Sequence, residues 1–214
     1  MSKSKKNVVD PNSIVSDYGA DTARLFMISD SPSERDLEWS IDGIKATYKF
    51  LKRIYDHLQK DFLFIVELEP KIISKIKENE KETYNLIQRT IVGYTDDIKN
   101  YRFNTAVAKL REMANHALKT KMSKNLSDYC WSIFLRLISI ITPHFSDELA
   151  EKSGFNNVLI NLNWPDFDSS DLNKEIVSVV LQVNGKKKSL INVPFDSSQE
   201  DLLEIIRNDN NIPS

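Results

Sequence analysis

YNLIQRTIVGYTDDIKNY, residues 84–101, carries the pattern that decides the fold of this chain. Apolar and aromatic side chains recur there in alternating steps of three and four, at Tyr84, Ile87, Ile91, Tyr94, Ile98 and Tyr101. This spacing places them on one face of an α-helix, which has about 3.6 residues per turn. The stretch therefore predicts a long helix that buries one side against other helices.

Three neighbouring stretches predict further helices. The first is expected to be capped by Ser40 and to bury Ile44, Leu51, Ile54, Tyr55 and Leu58. The next is expected to be capped by Asn104 and to bury Val107, Leu110, Met113, Ala114 and Leu118. The last is expected to be capped by Ser127, to be ended by Pro143 and to bury Phe134, Leu137, Ile138 and Ile141. Together the four helices predict a mainly α protein with an up-and-down, antiparallel bundle over residues 34–153.

Two shorter helices are predicted before the bundle. Asp10 is a suitable N-cap with Pro11 at the first helical position, and Gly19 is expected to end that helix. A second helix from about Ala20 would direct Leu25 and other apolar side chains inward. Residues 36–39 are expected to form a short extended link to the bundle.

The end of the chain changes character. Residues 154–172 are expected to form a linker, because turn-forming residues interrupt any long period there. Residues 176–183 and 189–194 predict two strands joined by an Asn184-Gly185 turn, and Ser197 or Ser198 is expected to cap a final helix. Residues 173–214 therefore predict a small, incomplete α+β domain, since so few residues rarely bury a full core.

Composition excludes several classes of protein. The chain has 214 residues with 29 basic and 31 acidic side chains, so its overall charge does not indicate a nucleic-acid binder, and any RNA contact must come from local patches. A single cysteine, Cys130, excludes an intramolecular disulfide and cysteine-type zinc sites. His57, His116 and His144 lack metal-ligand spacing, so no metal site is expected. No apolar run approaches the roughly 20 residues of a membrane span, and a cytoplasmic protein without membrane contact is expected.

The N-terminus carries a motif in a fixed order. Met1-Ser2-Lys3-Ser4 is followed by Asp10-Pro11 and then by Tyr18-Gly19-Ala20-Asp21 and Arg24. Alone, the first four residues are typical of a solvated polar arm. The ordered string resembles class I aminoacyl-tRNA synthetases, in which a Lys-Met-Ser-Lys-Ser loop is followed by such a helix and segment, although the opening lysine is absent here.

The resemblance implies a role for this loop. Amino-acid activation separates pyrophosphate from an adenylate, and ammonium groups stabilise the negative charge that develops. By resemblance, Met1, Ser2, Lys3 and Ser4 form an ATP- and phosphate-binding loop, in which Lys3 contacts phosphate and the two serines hold the loop. Residues 1–33 would then be the remnant of a catalytic domain, whose catalytic residues are not complete in this chain.

A more complete copy of the loop motif occurs later, at Lys121-Met122-Ser123-Lys124. It joins two predicted bundle helices and is followed by neither Asp-Pro nor Tyr-Gly-Ala-Asp. We therefore expect it not to bind phosphate.

Further strings resemble the same enzymes. Arg102-Phe103-Asn104-Thr105-Ala106 and Thr142-Pro143-His144 resemble their helical anticodon-binding domain, although each also has a purely structural explanation as a cap or a bend. Residues 181–188, Leu-Gln-Val-Asn-Gly-Lys-Lys-Lys, resemble the hairpin that opens the C-terminal domain of bacterial leucyl-tRNA synthetases. There Lys186, Lys187 and Lys188 would contact tRNA phosphates, whereas any exposed hairpin could also carry three lysines.

The resemblance covers nearly the whole chain and indicates a C-terminal portion of a bacterial-type leucyl-tRNA synthetase. It implies a parent enzyme that joins leucine to its tRNA through an adenylate made from ATP with magnesium. This chain would dock tRNA as a monomer, would meet ATP and leucine only with an upstream domain, and would not form the adenylate alone. The alternative is a free-standing helical RNA-binding or scaffold module. A ribosome-binding site before Met1 would favour it, whereas a lysine codon directly before Met1, in frame with several hundred upstream codons, would favour the enzyme.

Overall fold

Two units make up the chain, residues 1–166 and 167–214. The computed structural model describes residues 9–32, 35–66, 76, 78–167, 176–183, 186–194 and 197–208. In the first unit these residues form α1 (Pro11–Tyr18), α2 (Ala20–Asp30), α3 (Ile41–Leu58), α4 (Lys81–Lys99), α5 (Phe103–Lys119), α6 (Lys124–Ile138) and α7 (Pro143–Lys152). Short 3-10 turns lie at Glu78–Glu80 and Leu159–Asn161. The prediction of a mainly α protein is confirmed.

Helix α6 lies at the centre of the first unit. All its residues from Asp128 to Ile138 are buried, and α4, α5 and α7 pack against it. Apolar residues on nearly all sides suit such a central position, and Asp128, Ser132 and Arg136 are the buried polar exceptions. The surrounding helices contribute their apolar stripes to the same core through Ile54, Ile91, Leu110 and Leu149.

The predicted stripe of α4 is confirmed over most of its length. Tyr84, Ile87, Ile91 and Tyr94 are buried, and Ile98 packs partly against the core. Tyr101 is the exception, because α4 ends at Lys99 and the chain turns at Tyr101 with a φ of 59°. The Tyr101 side chain is 70% exposed, so its assignment to the buried stripe was wrong.

Of the three caps predicted within the bundle, two are wrong and one is confirmed. The Ser40 side chain accepts a hydrogen bond from the Gly43 N–H at 3.1 Å and caps α3 as predicted. Helix α5 begins at Phe103 rather than after Asn104, because the turn at Tyr101 places Arg102 at the N-cap position. Helix α6 begins after Ser123 rather than Ser127, whose N–H already bonds to the Ser123 carbonyl within the helix.

Pro143 begins a helix instead of ending one. Helix α6 ends at Ile138, and Pro143 is the first residue of α7, a helix that the sequence analysis did not predict. Proline suits this position because the first helical N–H has no partner within the helix and the proline ring fixes φ near the helical value.

The two predicted N-terminal helices are confirmed, and they pack on α3. Asp10 caps α1 by accepting a hydrogen bond from the Asn12 N–H, and Gly19 separates α1 from α2 with a φ of 83°, a left-handed value that favours glycine. Ile14, Phe26 and Ile44 form a small second core that joins α1, α2 and α3.

The first half of the segment expected to be a linker packs on the first unit. Leu159 is buried in the main core, and the Phe155 ring lies 5.0 Å from the Phe64 ring. Trp164 stacks on Tyr94 at 6.0 Å and donates a hydrogen bond to Thr95 Oγ1. These contacts explain why the first unit extends to Asp166.

The second unit contains a β-hairpin and a helix, as predicted. Strands β1 (Ile176–Val183) and β2 (Lys186–Pro194) pair antiparallel, and α8 (Gln199–Asn208) lies against β2. Ser198 and Asp201 form a reciprocal cap at the start of α8, in which the Asp201 N–H donates to Ser198 Oγ and the Ser198 N–H donates to Asp201 Oδ2.

Candidate nucleic-acid interface

The solvent face of α3 is a row of basic residues, which we call the α3 basic face: Lys45, Lys49, Lys52 and Arg53. All four are exposed, while the opposite side of the helix is buried in the core. Their spacing of four, three and one residues keeps them on one side of the helix. The apolar half of this pattern predicts the helix, and the basic half is equally visible in the sequence.

Three of these cations have no acidic partner among the described residues, and one of the three, Arg53, donates a hydrogen bond to the amide oxygen of Asn115. Among the residues that the structure describes, neither Lys45 nor Lys49 makes an ion pair, and Lys52 pairs with Asp56 across one exposed helical turn at 3.1 Å. Exposed pairs of this kind contribute little stability and exchange readily for another anion. The face is therefore available to a polyanion.

Two other cations of the bundle, Arg102 and Lys109, are committed to structural contacts. Arg102 and Lys109 both contact the Asp97 carboxylate, which is almost fully buried. Burial alone would raise the pKa of Asp97, but hydrogen bonds from Lys109, Arg102 and Thr105 outweigh it and lower the pKa. These two basic residues neutralise a buried acid, so they are poor phosphate ligands.

A cleft of about 530 Å³ lies beside the α3 basic face. We call it the tyrosine cleft; the α1–α2 turn, α3 and α7 form its walls. Its aromatic lining comes from Tyr18, Tyr48, Tyr55 and Phe145. Lys52 belongs both to the lining and to the α3 basic face, so the cleft and the basic row are continuous.

One wall of the cleft joins the Tyr18-Gly19-Ala20-Asp21 segment to the start of α7, two parts of the sequence far apart in the chain. Asp21 of Tyr-Gly-Ala-Asp accepts a hydrogen bond from the Phe145 N–H at 2.7 Å, and its other oxygen lies 3.2 Å from Nδ1 of His144. The Asp21 side chain is 10% exposed, whereas that of His144 is 82% exposed. The aspartate therefore fixes α2 to the start of α7.

On the opposite wall, the side chains of Tyr55, Glu148 and Lys152 contact one another. Tyr55 donates a hydrogen bond to Glu148 Oε1 at 2.9 Å, and the Lys152 ammonium contacts both Glu148 and the Tyr55 hydroxyl. Hydrogen bonds from Lys152 and Tyr55 lower the pKa of Glu148. Tyr55 is thus fixed in place, whereas the Tyr48 hydroxyl makes no hydrogen bond to any described residue.

The residues predicted to bind ATP phosphates, Met1, Ser2, Lys3 and Ser4, lie outside the described residues. The later copy of the motif takes part in structural contacts. Glu80 accepts hydrogen bonds from the N–H and the hydroxyl of Ser123, and Lys124 pairs with Asp128 at 2.7 Å. Its serine and second lysine thus hold the start of α6.

The three lysines predicted to bind tRNA lie in a strand and not in a turn. Lys186, Lys187 and Lys188 begin β2, and Lys188 is exposed. Leu181 pairs with Ser189 and Gln182 with Lys187, so Lys188 has no partner residue and forms a β-bulge. Bulges commonly redirect a side chain, and here the bulge lies at one of the predicted contacts.

Within the described ranges, no three side chains of His, Cys, Asp or Glu come together as metal ligands. None of the helices in these ranges is long and apolar enough to cross a membrane.

Two family models match the chain. Residues 80–205 match the anticodon-binding domain of tRNA ligase, and residues 1–40 match the class I tRNA synthetases for I, L, M and V. The two matches overlap the helical bundle and the N-terminal helices, respectively.

Individual relatives carry the same description. A leucine–tRNA ligase of Wolbachia pipientis subsp. Culex pipiens is 39% identical over 208 residues, which are 96% of this chain and 25% of that protein. The leucine–tRNA ligase of Magnetococcus marinus is 37% identical over 208 residues, which are 94% of this chain and 24% of that protein. The chain thus spans about a quarter of the length of these relatives.

A solved structure shows the same fold. It is the ternary complex of Agrobacterium radiobacter K84 LeuRS with tRNA and LeuAMS, and its TM-score is 0.72 at 25% identity. The similarity covers 99% of this chain and 28% of that one. The structural likeness therefore includes both units.

Proposed function

The chain belongs to the anticodon-binding domain family of tRNA ligases, with leucine–tRNA ligases as its relatives, and we propose that it docks tRNA for such an enzyme. The observation that carries the proposal is the α3 basic face. It is a row of four cations, three of them without acidic partners among the described residues, on the surface of a domain whose family is defined by tRNA ligases.

The distribution of charge supports this face as the docking surface. Helix α3 carries four basic residues and two acidic ones, a net charge of +2. Helices α7 and α8 each carry one basic residue and three acidic ones, a net charge of −2. Helix α5 also has a net charge of +2, but its Lys109 pairs with Asp97 and its Arg111 packs over the Phe50 ring. A polyanion would therefore meet more available cations on α3, because a local positive field attracts it even when the whole chain is slightly acidic.

The start of β2 is the second proposed contact. Lys186, Lys187 and Lys188 add three positive charges without an acid between them, and the bulge exposes Lys188. Each phosphate contact releases counterions and makes binding more sensitive to salt. The hairpin would add affinity without reading sequence, since phosphate contacts carry no base information.

The chemistry is proposed for the parent enzyme. There, leucine would be activated with ATP and magnesium, and Lys3 would contact the phosphates in the loop of residues 1–4. We propose that this chain alone does not make leucyl-adenylate, since its relatives are about four times as long. Measurement of leucine-dependent exchange between ATP and pyrophosphate tests this, and exchange by the purified chain would contradict it. We also propose that the protein is cytoplasmic and monomeric.

The docking proposal is tested by measuring affinity for a leucine tRNA transcript across a range of salt concentrations. Replacing both Lys45 and Lys49 with glutamine should reduce the slope of log K against log salt by about 1.4–1.8, since each phosphate contact contributes about 0.7 on a single strand and about 0.9 on a duplex. Replacing the three lysines of β2 should reduce it by up to about 2.7 on the same basis.

Lys119 provides the matched control, because it is exposed at the end of α5 and belongs to neither proposed contact. Lys119→Gln should leave the slope nearly unchanged. The proposal fails if the wild-type chain does not bind the transcript at low salt, or if Lys119→Gln weakens binding as much as Lys45→Gln and Lys49→Gln do together.

A further inference from the structure

The tyrosine cleft has the size and lining of a small-molecule site. Its volume of about 530 Å³ falls within the range of about 300–1,000 Å³ that is usual for ligand pockets. Aromatic side chains from three separate elements line it, so it is not a gap along one helix. A planar ligand would find aromatic surface on both the α3 side and the α1–α2 side.

Tyr48 is the aromatic side chain best placed to meet a ligand. It is 40% exposed, lines the cleft and packs edge-on against Tyr18 at 5.9 Å. Tyr55 follows seven residues later on the same face of α3, about 10.5 Å along the helix axis, with Lys52 between them. The order along this face is thus ring, cation, ring.

The polar groups of the cleft select for a ligand that accepts hydrogen bonds. The acids Asp21 and Glu148 already accept hydrogen bonds from Phe145 and Tyr55, respectively. The exposed polar groups are the Tyr48 hydroxyl, the Lys52 ammonium, whose pair with Asp56 is itself exposed, and the outer edge of the His144 ring, whose Nδ1 faces Asp21. A nucleobase has a flat aromatic face and acceptor atoms at its edge, which match the rings and these donors.

The tyrosine cleft adjoins the α3 basic face, which indicates that the nucleobase belongs to a nucleic-acid strand and not to a free nucleotide. Lys45 and Lys49 lie on the outer side of the row that contains Tyr48 and Lys52. A strand whose phosphates contact these lysines would have its bases within reach of the cleft. Single-stranded nucleic acid is commonly bound in this way, with cations along the backbone and bases stacked on aromatic side chains.

We propose that the tyrosine cleft binds one unpaired nucleobase of the RNA that docks on the α3 basic face. Tyr48 stacks on the base, Lys52 contacts its edge or the adjoining phosphate, and the lysines outside the cleft hold the backbone. This inference rests on the proposed function, because the base must belong to a docked RNA. It adds a contact that phosphate binding alone does not require.

The test compares Tyr48→Ala, Tyr48→Phe and a control, Tyr101→Ala, for affinity to an unmodified leucine tRNA transcript. Stacking of one base is worth about 1–3 kcal/mol, so Tyr48→Ala should weaken binding about 5- to 140-fold. The slope of log K against log salt should stay unchanged, because no phosphate contact is lost. Tyr48→Phe keeps the ring and should stay within about threefold of wild type.

Tyr101 is a suitable control because its ring is 70% exposed at the α4–α5 turn, outside the cleft. A second measurement uses competing RNAs of equal length. A hairpin with an unpaired loop should displace the transcript better than a continuous duplex does, and Tyr48→Ala should abolish that difference. Unchanged tryptophan fluorescence of the variants would establish that they are folded.

The outcomes separate the inference from the proposed function. If replacing Lys45 and Lys49 weakens binding while Tyr48→Ala behaves like Tyr101→Ala, the docking face is supported and the base site is refuted. The same result is expected if the cleft instead holds a peptide or another segment of a longer protein. If the wild-type chain binds no RNA at low salt, both proposals fail.

Discussion

Replacing Asp21 with alanine should lower the free energy of unfolding of the first unit by about 2 kcal/mol. The reason lies at the start of α7. Pro143 has no N–H, and the side chain of Thr142, the N-cap residue, makes no capping hydrogen bond to the helix. The Thr142 hydroxyl instead donates to the Ile138 carbonyl. Asp21, 124 residues from Phe145 in sequence, supplies the missing cap.

The magnitude follows from two contributions. Loss of a side-chain cap costs about 0.5–2 kcal/mol, and a negative charge at a helix N-terminus contributes about 0.3–1 kcal/mol more. Asp21→Asn keeps an acceptor oxygen but removes the charge, so it should cost about 0.3–1 kcal/mol. His144→Ala should cost less than about 0.5 kcal/mol, because the His144 side chain is mostly exposed and exposed ion pairs contribute little.

Urea denaturation followed by tryptophan fluorescence measures this effect in the first unit. The three tryptophans, Trp39, Trp131 and Trp164, all belong to residues 1–166, so the signal does not report on the second unit. Asp17→Ala is the matched control, because Asp17 is an exposed acid four residues before Asp21. It should not lower stability.

The order of the variants tests the reasoning more sharply than any one value. Stability should fall least in His144→Ala, more in Asp21→Asn and most in Asp21→Ala. Equal losses in His144→Ala and Asp21→Ala would mean that the pair with the imidazole, and not the cap on α7, carries the energy. A loss below about 0.5 kcal/mol in Asp21→Ala would refute the capping role.

Three further changes have definite expected results. Tyr101→Gly should raise the melting temperature by about 1–4 °C, because it relieves a left-handed backbone and removes a mostly exposed ring. Gly43→Ala should cost about 1–3 kcal/mol in urea denaturation, since its Cβ would lie 2.5 Å from Cε2 of the buried Phe26 ring. Asp97 has a lowered pKa in the folded protein, so it stabilises the fold above the unfolded pKa of about 3.9, and this contribution is lost as pH falls through the folded pKa. Asp97→Asn should therefore lower stability at pH 7, and the variant should lose less stability than wild type between pH 5 and 2; a parallel loss would contradict this.

The helices themselves could be predicted because their signals are local. The stripe of α4 and the cap of α3 depend on residues within a few positions of each other, and the structure confirms both. The start of α6 could not be predicted in this way. Its position depends on Glu80, which accepts hydrogen bonds from Ser123 across 43 residues, while Ser127 offered an equally good local cap.

Helix α7 was missed for a related reason. Pro143 is equally compatible with the end of one helix and the beginning of another, and local sequence does not distinguish the two. Packing decides between them here: Leu149 and Ala150 are buried in the core, and Asp21 caps the first turn. The information lies in contacts made far along the chain.

The α3 basic face differs from the starts of α6 and α7. The spacing of its basic residues is visible in the sequence, but only the structure shows that most of them have no acidic partner among the described residues and can contact an anion. Lysine residues occur throughout the chain, and sequence does not reveal which of them neutralise buried acids. Lys109 does so beside Asp97, whereas Lys45 and Lys49 pair with no described acid. Docking surfaces of this kind are therefore identified by the absence of local partners, which depends on tertiary structure.

The Tyr18-Gly19-Ala20-Asp21 string acquires a physical meaning from the same contacts. All four residues line the tyrosine cleft, the glycine makes the turn between α1 and α2, and the aspartate caps α7. None of these roles involves phosphate chemistry, although the string follows a phosphate-loop motif in sequence. A movement of α2 away from α7 would have to break the hydrogen bond between Asp21 and Phe145, and RNA seated in the cleft would contact both sides of that joint. Bound RNA should then stabilise this joint, since a ligand that binds only the joined state favours it by mass action.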